Sequence, residues 1–140
     1  MKLNIPKITQ AIPLTDYAPE LVHDDGSPAV VWAWVNPPAA LINTHSALRA
    51  RAQAALKTIK EAGGDQAVQA AQMHELREVG AGLQAVFAEL WSARSDPETH
   101  WTPEEVAALA NNAENPALYG WLTNRTLAAI NEYRSGLRKN

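Results

Sequence analysis

The chain has 140 residues, 46% of them hydrophobic and 19% charged, with a formal net charge of −3. That composition excludes a disordered chain, fits one domain, and lacks the basic excess of a typical nucleic-acid binder. With no cysteine, disulfides, thiolate metal sites and cysteine nucleophiles are ruled out.

The start, "MKLNIPKITQ", has no signal-peptide apolar run, and no stretch approaches membrane-spanning length. The cytoplasm is therefore the expected location. The first 38 residues hold six of the nine prolines and one dense apolar run, "AVVWAWV" from Ala29 to Val35. Its β-branched and aromatic content predicts a strand, with Val31, Ala33 and Val35 on one face and Val30, Trp32 and Trp34 on the other. Both faces are apolar, so both need cover. "HDDGSP" (His23 to Pro28) signals a turn with Asp25-Gly26 at its corner. A partner strand is expected within Lys2 to Ile12, through Leu3, Ile5, Ile8 and Ile12, and Pro6 and Pro13 would confine it to an edge.

"NPPAAL" then changes the period. Asn36 is placed to cap a helix with Pro37 and Pro38 in its first turn. From Ala39 to Ala62 a narrow seam of Leu41, His45, Leu48, Ala52, Ala55 and Ile59 suits close helix packing. Gly63 and Gly64 end it, and Asp65 is the expected N-cap of a second helix over Gln66 to Ala93. In that helix Leu76, Val79, Leu83, Val86, Phe87 and Leu90 follow three/four spacing, with Trp91 at the end. Gly80 and Gly82 weaken it by about 1 kcal/mol each relative to alanine, and permit a kink or a close crossing with the first helix.

"WTPEE" (Trp101 to Glu105) predicts a third start. Thr102 and Glu105 form a capping box, and Trp101 and Val106 stand where a hydrophobic staple belongs. Asn115-Pro116 is read as another cap followed by proline, opening a helix whose face is Leu118, Trp121, Leu122, Ala129, Ile130 and Tyr133. Arg134, Arg138 and Lys139 form a short basic tail. The fold class expected is mainly α: three to four helices with a small N-terminal β-hairpin or irregular β unit. The division is a proline-rich unit over 1–38 and a helical region over 39–140, together one domain.

The sequence carries no recognisable catalytic constellation. His23, His45, His74 and His100 share no ligand spacing, and His74-Glu75 lacks the second histidine of a zinc-protease helix. His23-Asp24-Asp25 reads as turn chemistry. "EAGGDQ" has neither the lysine nor the preceding strand of a phosphate loop, and no serine lies in a nucleophile elbow. Glu104-Glu105 suits a capping and dipole role. The expectation is a protein that is not an enzyme and takes no cofactor or metal. The tryptophans leave two readings: core filling, the commoner fate of Trp, or exposed anchors for a partner. The candidate partner-binding residues are Trp32, Trp34, Trp91, Tyr119 and Trp121.

The order of parts is distinctive: "VWAWVNPP", two long alanine-rich helices, "FAELWS" (Phe87 to Ser92), "WTPEEVAAL" (Trp101 to Leu109) and "NPALYGWL" (Asn115 to Leu122). It resembles the tail assembly chaperones of long-tailed bacteriophages, over most of the chain in layout and over the last fifty or so residues in wording. The resemblance implies a non-enzymatic protein in the cytoplasm of the bacterial host. Such a protein binds the tape-measure protein, keeps its hydrophobic helices soluble, and helps tail-tube protein polymerise around it. It also implies a short form ending near a frameshift site. Lys139-Asn140 is compatible with a slippery run, and this chain would correspond to that short form. Neither nucleic acid nor membrane is an expected partner, and a homo-oligomer stays open. Two other classes compete: a tail-completion or head–tail joining subunit, which would form a ring in the virion, and a small phage inhibitor of a host protein.

Overall fold

A computed structural model describes residues 5–96 and 98–139, without the side chains of 138 and 139. The elements run β1 (Thr9–Pro13), β2 (Val30–Trp34), α1 (Ala39–Glu61), α2 (Gln66–Leu90), β3 (Trp91–Ser92), α3 (Pro103–Ala110) and α4 (Leu118–Lys139). The fold is mainly α with a small, largely N-terminal antiparallel sheet, in agreement with the expected class. Two compact units follow: Met1–Pro37 with Phe87–Asn140, and Pro38–Val86. The predicted helical region over 39–140 is thus divided, its last part grouping with the N-terminal β residues.

In the first unit the strand order is β1-β2-β3, so the β-branched run occupies the centre and proline-bearing β1 an edge. β1 pairs with β2 from Thr9↔Trp34 to Pro13↔Val30. Lys2 and Leu3, part of the expected partner strand, lie outside the described residues. The strand begins later than expected, at Thr9. The connection over residues 14–29 contains the predicted turn. The Asp25 carboxylate accepts from the Ser27 backbone and hydroxyl, and the Gly26 N–H donates to the His23 carbonyl. The hydrogen bonds from Ser27 hold the Asp25 carboxyl below its ordinary pKa.

The third strand was not expected. The sequence predicts helix to Ala93, because the apolar spacing through Trp91 also suits a helix. The chain instead leaves helical geometry after Leu90, and Trp91 and Ser92 pair with Ala33 and Trp32. The Trp91 carbonyl accepts from the Trp101 N–H at 2.8 Å. Ladder bonds on both sides of β2 outweigh another half-turn of helix.

Ile12, Val31, Ala33, Leu90, Trp91, Val106, Leu118, Leu122 and Ile130 are buried residues of this unit. Each large aliphatic side chain contributes about 1.5–3 kcal/mol by leaving water. α3 begins as predicted: the Thr102 hydroxyl accepts from the Glu105 N–H at 3.2 Å, and the Glu105 carboxylate accepts from the Thr102 N–H at 3.1 Å. The Asn115 prediction needs correcting. The Leu118 N–H donates to the Asn115 main-chain carbonyl, and Pro116 sits in the turn ahead of the helix. The Asn112 side chain, by accepting from the backbone of Glu114 and Asn115, stabilises that turn.

The second unit is a helical hairpin. Gly63 (φ 60°) and Gly64 (φ 102°) supply left-handed backbone that a Cβ would strain. The Asp65 carboxylate accepts from the N–H groups of Ala67 and Val68, the N-cap expected of it. His45, Leu48 and Ala55 are the buried residues of the α1 seam. A Cβ on Gly82 would stand 3.0 Å from both Leu48 methyl groups, so the Leu48 side chain packs onto the bare backbone there, whereas Gly80 faces open space. Nearer the turn, the Arg51 guanidinium pairs with the Glu75 carboxylate and lies 3.7 Å from Glu78. These contacts fix the two helices as antiparallel.

Candidate binding surface

Period-two alternation determines what the sheet presents. Val31, Ala33 and Val35 are buried, while Val30, Trp32 and Trp34 are only half-buried. Their partners in the antiparallel register are Pro13, Ala11 and Thr9, which share the same face. Ala11 is exposed and small, so it leaves the neighbouring Trp32 indole uncovered on that side. This outer face carries no charged residue on β1 or β2.

The two indoles differ in how they are held. Trp34 Nε1 donates to Asn36 Oδ1 at 2.9 Å, and the Lys7 ammonium sits 4.6 Å from the centre of its ring. A cation in that position is worth about 0.5–1 kcal/mol near a surface. Burial lowers the Lys7 pKa, and the Asp96 and Glu89 carboxylates oppose that shift. Asn36 Oδ1 also accepts from the Ile8 N–H at 2.7 Å, while its Nδ2 donates to the Pro6 carbonyl at 2.8 Å. The expected role of Asn36 as a helix cap is therefore incorrect. Pro38 occupies the cap position of α1 without a side-chain bond, and Asn36 ties the chain ahead of β1 to the end of β2. Trp32 makes no side-chain hydrogen bond among the described residues.

The other candidate aromatics separate into two groups. Trp91 is 0% exposed and offers nothing to a partner, which corrects its assignment to a binding surface. Its Nε1 donates to Thr126 Oγ1 at 2.9 Å, and that hydroxyl donates to the Leu122 carbonyl at 2.8 Å. Phe87, Trp101 and Tyr119 pack around it with ring centres 4.9, 5.5 and 6.1 Å away. Tyr119 is half-buried, and burial raises its phenol pKa. Trp121 lies elsewhere on α4, tilted against Tyr17 at 5.5 Å, rather than in a cluster with Trp91 and Trp101. The Trp101 indole N–H is buried with no acceptor among the described residues. The structure thus brings Trp32 and Trp34 together on one face and Tyr119 onto Trp91, and it joins Trp121 to Tyr17.

A groove of about 270 Å³ lies between Ile5, Asn36, Pro37, Tyr133, Arg134 and Leu137, with Ile5 74% and Leu137 59% exposed. Sequence reading missed both this groove and the Lys7–Trp34 contact. Neither has a local motif, since the residues meet only through tertiary pairing. Among the described residues no group of three or more His, Asp or Glu side chains converges to hold a metal. No helix among them is long and apolar enough to cross a membrane. Comparison of the chain with protein-family models, with curated proteins and with solved structures yields no match.

Proposed function

We propose that this chain is a non-enzymatic assembly chaperone of a long-tailed bacteriophage. In the cytoplasm of the bacterial host it binds the tape-measure protein and assists assembly of the tail-tube protein around it. The observation that carries the reading is the outer face of the sheet, where a central strand sets Trp32 and Trp34 beside Ala11 and Thr9. Large, rigid indoles among small neighbours make effective anchors for apolar side chains of a partner, because they bury much area at little entropic cost. The resemblance of "VWAWVNPP", "WTPEEVAAL" and "NPALYGWL" to phage tail assembly chaperones supplies the identity of the partner. The test is co-expression with the tape-measure protein of the same phage. The reading predicts that the tape-measure protein enters the soluble fraction and co-purifies with this chain. A tape-measure protein that stays insoluble, while this chain purifies alone or as a ring, would reject it.

A further inference from the structure

The helical hairpin has two flanks of opposite chemistry. On one, Arg51 of α1 meets Glu75 and Glu78 of α2, and the charges are matched. At 3.6 residues per turn, Leu56 lies about 140° around α1 from Arg51, and Met73 about 140° around α2 from Glu78. The seam of Leu48 and Ala55 runs between, so Leu56 and Met73 belong to the opposite flank. Both are exposed, at 56% and 49%. Arg49 and Lys60 share the stripe of Leu56 at seven and four residues, and Arg77 and Gly80 share that of Met73 at four and seven. All three cations are exposed, and none has an ion pair among the described residues. Neither stripe contains a carboxylate.

We infer that this flank receives one helix of a partner protein, amphipathic, with its apolar stripe bordered by Asp or Glu. Leu56 and Met73 cover the partner's apolar stripe, and Arg49, Lys60 and Arg77 meet its carboxylates at the rim. Gly80, where an added Cβ would find nothing within 4 Å, leaves room for the partner's side chains over α2. The geometry is that of a third helix laid along a two-helix hairpin. A second copy of the chain using the same flank would set Arg49, Lys60 and Arg77 against their own counterparts, which like-charge repulsion opposes. Nucleic acid is disfavoured because the two apolar side chains occupy the centre of the flank. The inference is independent of the function proposed above and of the tryptophan face.

The test uses the full chain and two fluorescein-labelled synthetic helices, followed by anisotropy. One has a Leu/Ala stripe bordered by Glu; its twin has Lys in place of every Glu. The acidic helix is expected to bind, more weakly at high salt, and the lysine twin to show no binding. Met73→Glu is expected to weaken binding by about tenfold or more, as loss of a central apolar contact does, and Lys60→Glu by about two- to fivefold. Both positions are exposed on helices, and unchanged helical circular dichroism would establish that the variants fold. Equal binding of both helices, binding of neither, or full binding by Met73→Glu would overturn the inference. So would displacement of the acidic helix by oligouridylate, or a dimer in sedimentation that Met73→Glu dissociates.

Discussion

Two side chains set measurable properties of the fold. Thr126 Oγ1 is the acceptor for the fully buried Trp91 indole. Thr126→Val keeps the shape and orphans that N–H, so it should cost about 1–3 kcal/mol in urea unfolding, with the near-ultraviolet tryptophan signal altered. A loss within error of zero would mean that the indole finds another acceptor. His45 contributes a pH dependence just below neutrality. Its burial, and secondarily the Arg49 charge, lower its pKa from the ordinary 6.5. Between the lowered value and 6.5 the unfolded chain binds more protons than the folded one, so folding stability rises with pH there. The wild-type urea midpoint should fall as pH drops below about 6.5, and His45→Gln should flatten that part of the profile. Parallel profiles for the two proteins would remove His45 as the cause.

At the scale of elements, the glycines of α2 separate propensity from packing. Gly80→Ala adds a methyl into open space and should stabilise by up to about 1 kcal/mol. Gly82→Ala gains the same helical propensity, yet its Cβ would press on Leu48, so it should be less stabilising than Gly80→Ala or destabilising. Thermal or urea unfolding of the pair reads the difference directly. Thr102→Ala, which removes the capping-box hydroxyl, should cost about 0.5–2 kcal/mol. These elements were largely legible in the sequence, because their causes are local: the Gly-Gly-Asp boundary, the threonine cap, and the alternation in "AVVWAWV". What was not legible depends on pairing at a distance. Trp91 fits the helical period of α2 equally well until the edge of β2 offers it ladder bonds. Asn36 before two prolines looks like a cap until residues 6 and 8 are brought beside it. Of the five candidate binding residues, alternation placed Trp32 and Trp34 on one face correctly, whereas Trp91, at the end of the apolar stripe of α2, belonged with the core reading of the tryptophans rather than with the anchors.

For the whole molecule, the two compact units carry separable surfaces: a tryptophan face on the sheet and a cationic, apolar flank on the hairpin. The sheet face is the centre of the proposed function, and its two indoles are not equivalent as probes. Trp34 is bound to Asn36 and covered by Lys7, so removing it loosens the junction that joins β1 to β2. Trp32 has neither a side-chain hydrogen bond nor a covering cation among the described residues, which makes Trp32→Ala the substitution that separates grip from fold. The decisive measurement is therefore the dissociation constant of the purified complex with the tape-measure protein, for wild type and Trp32→Ala, with circular dichroism and urea unfolding on both. The account predicts an affinity lower by about tenfold or more with the fold intact, as loss of an interfacial tryptophan anchor produces. An unchanged affinity for Trp32→Ala would contradict it and remove the tryptophan face as the site of binding.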